Sequence, residues 1–248
     1  MLLHHSTWPE IDAYLARSKA IVIPIGSTEQ HGPTGLIGTD AMCPQIIAHA
    51  AQEDTDMLVG PTFNVGCAQH HLGFAGSMTL RPSTMIAAVH DWVSSLAVHG
   101  FERILFFNGH GGNVATLRAA FSEIYADRSL AGEASNRGPI KCKLDNWWDY
   151  KPVMDFCVHT YGKSHGSHAT PSEVAITQWA YPDSIKRAEV APKVAPTGRF
   201  TDAQDYRRTF PDGRMGSDPT LAKPDDGGKL VALSAAGLKD SFAHFAAH

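Results

Sequence analysis

The stretch from Ala20 to Asp40 reads AIVIPIGSTEQHGPTGLIGTD. Its first six residues are a continuous apolar run that stops at Gly26. A short run of this kind, closed by glycine, fits a strand buried on both faces, as in a parallel sheet. Pro24 counts against that reading, because proline removes a ladder donor. The segment behind the run carries Glu29, His31 and Asp40 among four glycines. Such a segment can fold back and bring the three side chains together.

Outward from this stretch, strands and helices alternate. Met42 to Gln52 reads as a helix, with Ile46, Ile47 and Ala50 on one stripe, and 57–65 as a strand. A second helix is expected over 82–98, with Ser83 as a start signal and Gly100 as a stop. Arg103 to Asn108 (RILFFN) is the clearest strand, followed by the turn GHGG and a helix over about 114–126. Residues 139–145 alternate as a strand, 172–179 read as a helix, 196–227 as an extended loop and 225–247 as a final helix. The pattern predicts an α/β protein, a three-layer α/β/α sandwich with a mostly parallel central sheet, built as a single domain over 1–248. Ligands of such sheets bind at the carboxyl ends of the strands, so the loop 26–40 and the turn 108–113 should share a cleft.

Composition narrows the function classes. A net charge of −4 without a lysine or arginine cluster argues against a nucleic-acid partner. No apolar run reaches the ~20 residues that span a bilayer, which argues against a membrane partner. The start, MLLHHSTWPE, lacks the features of a signal peptide. Four widely spaced cysteines form no CxxC pair, so reduced thiols in a cytoplasmic protein are expected.

The 14 histidines are more informative, because several sit in glycine-rich turns. Glu29 and His31 are two apart and point to one side of extended backbone. With Asp40 they form an oxygen and nitrogen set suited to zinc, manganese or iron. The competing reading makes Asp40 a helix cap. His110 lies in NGHGGN, which has neither the Lys-Ser/Thr pair of a P-loop nor G-x-G-x-x-G spacing. In SHGSHATPSE, His165 and His168 precede a helix whose first turn carries Glu173, where a carboxylate also favours the helix dipole. HExxH is absent from the sequence. Trp147, Trp148 and Tyr150 follow a predicted strand and either line the pocket or pack beside it.

Taken together these motifs resemble the creatininase (creatinine amidohydrolase) family. The likeness runs in order through GSTEQHGP and GTD, HLGFAGSMTL at 71–80, NGHGGN, HATPSE at 168–173 and GSDPTLA at 216–222. The resemblance implies an α/β/α sandwich, hexameric homo-oligomers and hydrolysis of small-molecule amides, often cyclic. It also implies two divalent metal ions, zinc first, with manganese or iron as alternatives. Glu29 and His110 would hold one ion, His31 and Glu173 the other, and Asp40 both. A metal-bridging hydroxide would attack the amide carbon, and His168 would be the catalytic proton carrier.

Departures from the family fall around the expected cleft. Creatininases carry a glutamate where this chain has Gly112, which makes creatinine itself a doubtful substrate. Thr34 replaces a common histidine, and Thr170-Pro171 replace a glycine and an acidic residue. Thr34, Gly112, Trp147 and Trp148 are therefore the candidate substrate-binding positions. The tract 199–216 reads either as a lid that offers Arg207, Arg208 and Arg214 to an anionic substrate or as a solvated loop. Beside the amidohydrolase stand two other readings: a metallopeptidase or deformylase of the same family, and a non-catalytic metal-binding relative. The presence of His168 beside a filled ligand set favours an enzyme.

Overall fold

A computed structural model describes residues 1–131 and 138–248. Helix α1 spans Trp8–Leu15, strand β1 Ala20–Ile25, α2 Thr39–Gln52, α3 Pro82–Val98, β2 Arg103–Asn108 and α4 Val114–Leu130. Then come β3 Lys141–Asn146, α5 Lys151–Tyr161, α6 Pro171–Ala180, α7 Ala203–Thr209 and α8 Pro224–Ala247. The three strands form one parallel sheet in the order β1-β2-β3, with Ala20 opposite Arg103 and Arg103 opposite Lys141.

Alternation along the strands sends side chains to two cores. Ile21, Ile23, Ile25, Ile104 and Phe106 pack with Met85, Val89 and Leu117 from α3 and α4. Val22, Leu105 and Phe107 pack with Ile47, Ile176, Leu230 and Leu238 from α2, α6 and α8. Helices therefore cover both faces of the sheet, giving the α/β/α layering. This explains why β1 and β2 read as unbroken apolar runs: every second residue serves a different core.

Two expectations are corrected. Residues 57–65 are not a strand. Val59 and Phe63 make isolated parallel bridges to Val22 and Ile25, and Gly60 donates to the Val22 carbonyl. The next donor that a continuous ladder needs is the amide of Pro24, which proline lacks, and the register shifts by one residue between Val59 and Phe63. The tract 196–227 is not wholly loop, because it contains α7, capped by Asp202 through the backbone amides of Gln204 and Asp205. Helices α1 and α5, which the sequence reading passed over, both begin with proline in the first turn. No helix among the described residues is long and apolar enough to cross a membrane.

Candidate metal centre

Close backbone approach builds the floor of the site. Loop 26–40 leaves β1 and the turn Gly109–Asn113 leaves β2. A Cβ at Gly26 or at Gly109 would lie 2.0 Å from the Asp40 carbonyl oxygen. Glycine at both positions lets the two strand ends close on the first turn of α2. Gly109 donates to the Ile25 carbonyl at 2.8 Å. Asn108 holds the His110 backbone from both sides, donating to its carbonyl at 2.7 Å and accepting from its amide at 3.1 Å.

Asp40 does not cap α2. The N-cap is Gly38, and no side chain caps the helix. The Asp40 carboxylate instead lies between two imidazoles. Its Oδ1 is 2.8 Å from His31 Nε2 and its Oδ2 is 2.7 Å from His110 Nδ1. Glu29 Oε2 lies 3.3 Å from the same His110 Nδ1. Glu173 Oε2 lies 4.0 Å from the same His31 Nε2. Glu29, Asp40 and His110 therefore form one compact group of possible ligands, and His31, Asp40 and Glu173 form another. His168 joins Glu29 and His31 in a third.

The outer nitrogens fix both rings. His31 Nδ1 donates to the Glu29 carbonyl at 3.0 Å, and His110 Nε2 donates to the Cys67 carbonyl at 3.0 Å. A backbone carbonyl accepts only, so each ring turns its other nitrogen toward the carboxylates, the orientation that a metal-binding histidine needs. A lone pair aimed at a carboxylate at this distance requires a proton or a cation between them. Burial alone would depress the His31 imidazolium, but Asp40, aided by Glu173 and Glu29, holds it up to about 10. Burial likewise opposes the charge on His110, which Glu29 and Asp40 hold up to about 9. Burial pushes the Glu173 carboxyl up to about 7, against the pull of His31. Both oxygens of Glu29 and Oδ2 of Asp40 are buried with no properly angled hydrogen bond among the described residues. Orphaned buried carboxylate oxygens facing oriented imidazoles fit bound cations.

A cavity of about 610 Å³ opens onto these groups. Gly112, Trp147 and Trp148 line it together with His168, Phe200 and Tyr206. A Cβ at Gly112 would meet His110 Nε2 at 2.4 Å, so glycine here also keeps the ring in place. Thr34 is not in the wall. It is buried and faces a separate crevice with Val174 and Thr177, and residues 33–37 lie outside the cavity. Tyr150 packs on Gly237 and donates to Asp145 at 3.2 Å.

The tract 199–216 does cover the cavity, but with apolar side chains. Phe200, Tyr206 and Met215 line it. Arg214 is fully buried, paired with Asp212 at 2.7 Å and donating to the carbonyls of Pro192, Lys193 and Ser217. Arg207 lies over the Phe74 ring at 4.1 Å, and Arg208 pairs with Asp205 at 3.2 Å. None of the three lines the cavity, which corrects the arginine lid.

His70 and His71 also line the cavity. Neither was expected as a site residue, although the adjacent pair His70-His71 stands at the start of HHLGFAGSMTL, 70–80. Burial, then neighbouring imidazolium charge, drives the His71 pKa down to about 3 and that of His70 down to about 4.

The profile of the family described as creatininase, creatinine amidohydrolase, matches residues 4–241. The chain belongs to the creatininase family. Creatinine amidohydrolase of Pseudomonas putida is 31% identical over 249 residues, covering 95% of this chain and 93% of that protein. Mycofactocin precursor peptide peptidase of Mycobacterium tuberculosis is 34% identical over 225 residues, covering 87% of this chain and 81% of the relative. A manganese form of creatininase superposes with a TM-score of 0.84 at 22% identity, covering 98% of both chains. That likeness places the α/β fold among creatininase structures. Family membership makes the chain a creatininase-type hydrolase.

Proposed function

We propose that this creatininase-family chain is a dinuclear metal-dependent amidohydrolase that cleaves a C–N amide bond of a small substrate other than creatinine. The observation that carries the reading is Asp40, whose two oxygens each face a different ring nitrogen, one in each ligand group. Glu29, Asp40 and His110 would hold one ion, and His31, Asp40 and Glu173 the other. Zinc is the first choice for both, with manganese or iron as alternatives. When bound, such a pair lowers the pKa of water and polarises an amide carbonyl.

The chain's own groups do the rest. His168 Nε2 donates to the Gln30 carbonyl at 2.8 Å, so its Nδ1 is left free, 3.7 Å from Glu29 Oε1. Burial, with His31 and His71 nearby, keeps His168 neutral. It is thus the group that takes up a proton at Nδ1 and passes it to the leaving nitrogen. Trp147, Trp148, Phe200 and Tyr206 exclude water and pack against a flat, neutral group. Gly112 supplies no carboxylate, which supports a substrate different from creatinine.

A peptidase is the second reading, favoured by the 34% identity to a peptide peptidase. Four free cysteines suit a reducing cytoplasm. Exposed Trp8, Val98 and Val158 offer apolar surface to a homo-oligomer, a hexamer in this reading. Metal analysis of the purified chain should find about two transition-metal ions per chain. A chain that takes up no stoichiometric metal would overturn the proposal. A screen of metal-loaded protein against cyclic amides, ureas, formamides and short peptides separates the two activities, since cleavage of linear peptides alone selects the peptidase.

A further inference from the structure

Gln30 sits between two of the candidate ligands, yet its side chain points away from both groups into a buried junction. Its Oε1 accepts from the Gly32 amide at 2.8 Å, which fixes which end of the carboxamide is nitrogen. Its Nε2 has three neighbours at 2.9 Å: His71 Nδ1, His168 Nε2 and the Gly213 carbonyl. Two hydrogens cannot serve three acceptors. His168 Nε2 already gives its proton to the Gln30 main-chain carbonyl at 2.8 Å, so that nitrogen cannot accept. The two amide hydrogens therefore go to His71 Nδ1 and to the Gly213 carbonyl.

Each of these bonds has a consequence. Because His71 Nδ1 accepts, its proton sits on Nε2, the nitrogen 3.0 Å from Glu29 Oε1. Gly213 lies in the tract that supplies Phe200, Tyr206 and Met215 to the cavity wall. The Gly213 carbonyl also accepts from the Tyr206 hydroxyl at 2.9 Å, so one oxygen anchors that wall through two donors. The fit is tight: Gly213 has φ +86°, and a Cβ there would lie 1.9 Å from Gln30 Oε1.

We propose that Gln30 is a positioning residue whose carboxamide holds His71 protonated on Nε2, toward Glu29, and fastens the Phe200–Gly216 wall through Gly213. Glutamine suits the task because it offers two donors at a point where a carboxylate would offer none. The assignment concerns the same site as the proposed hydrolase and rests on that reading for its functional meaning. Its hydrogen-bond logic is tested without any substrate.

The test uses the full chain, zinc-loaded and labelled with ¹⁵N-histidine, near neutral pH. Long-range ¹H–¹⁵N correlation spectra should show His71 with a bare Nδ1 and a protonated Nε2. Gln30→Glu should place a proton on His71 Nδ1. Gln30→Met, which removes the donor to Nδ1, should leave His71 a mixture of its two tautomers, and a His71 pattern unchanged in this variant would reject the tautomer role. Both variants should speed amide hydrogen exchange over 203–213 by about tenfold, the loss of one buried hydrogen bond. Gly213→Ala, which substitutes neither Gln30 nor a histidine, should speed exchange over the same residues and so tests the wall if Gln30→Glu does not fold. A wild-type His71 protonated on Nδ1, or unchanged exchange in Gln30→Met and Gly213→Ala, would overturn the proposal. Absence of amide hydrolysis with these spectra as expected would reject the hydrolase and leave the positioning role standing.

Discussion

Asp40 is shared by two of the candidate ligand groups, Glu29–Asp40–His110 and His31–Asp40–Glu173. It is 4% exposed, and its carboxylate is held well below the usual range, burial being outweighed by His31 and His110. Asp40→Ala should abolish uptake of both ions and any hydrolytic activity, measured by metal analysis and by assay on a substrate from the screen. Retained activity would reject the bridging role. Gly112 makes a subtler case at the same scale. Gly112→Ala adds a single carbon 2.4 Å from His110 Nε2 and competes with the bond from that nitrogen to Cys67. Disturbing a ligand-orienting bond of this kind weakens metal binding by about 10–100-fold. Competition with a coloured chelator reads that loss directly.

At the scale of elements, α6 shows how one residue can satisfy two demands. The sequence offered Glu173 either as a first-turn carboxylate or as a ligand. In the structure Oε1 accepts from the Thr170 amide, completing a capping box, while Oε2 faces His31. Two oxygens let the same carboxylate end the helix and aim at the site. Thr170→Ala should cost about 1 kcal/mol in chemical denaturation, with Thr170→Ser recovering most of it. A Thr170→Ala chain of unchanged stability would mean that the box adds nothing to α6. The wall tract carries another element-scale expectation. Arg214 is fully buried, and its guanidinium satisfies three carbonyls and Asp212. Arg214→Met should destabilise the chain by about 3 kcal/mol, since Asp212 and the carbonyls lose their partner.

At the scale of the whole molecule, the two cores meet the sheet from opposite faces and leave the site at the carboxyl ends of β1 and β2. Metal ions that bind only the folded chain stabilise it by mass action, by about 2.7 kcal/mol at a hundredfold excess over the dissociation constant. Chelation should therefore lower the thermal midpoint of the wild type and leave that of Asp40→Ala unmoved, as differential scanning fluorimetry would record. Strands β1 and β2 and helix α3 were legible because burial on both faces and helical periodicity are local signals. The strand expected over 57–65 was not, because a row of apolar residues does not reveal that it would have to pair with β1 at Pro24, where the ladder lacks a donor and the register shifts. The placement of the arginines of 199–216, left open between a lid and a solvated loop, was not legible for a related reason. Charge is visible in a sequence, but the direction of a side chain depends on partners distant along the chain, here Pro192, Lys193 and Phe74.

By itself, the sequence pointed to the family and the layered α/β architecture, and the resemblance implied Glu29, His31, Asp40, His110 and Glu173 as candidate ligands. The architecture rests on local periodicity, and the family and candidate ligands rest on motifs that recur in order along the chain. Only the tertiary structure decided that Asp40 faces two imidazoles at once, and that His71 and Gln30 stand behind Glu29. It alone put Thr34 outside the cavity and aromatic side chains, in place of arginines, over it. Those facts depend on where strand ends converge and which distant carbonyl takes each proton, and no local pattern encodes either.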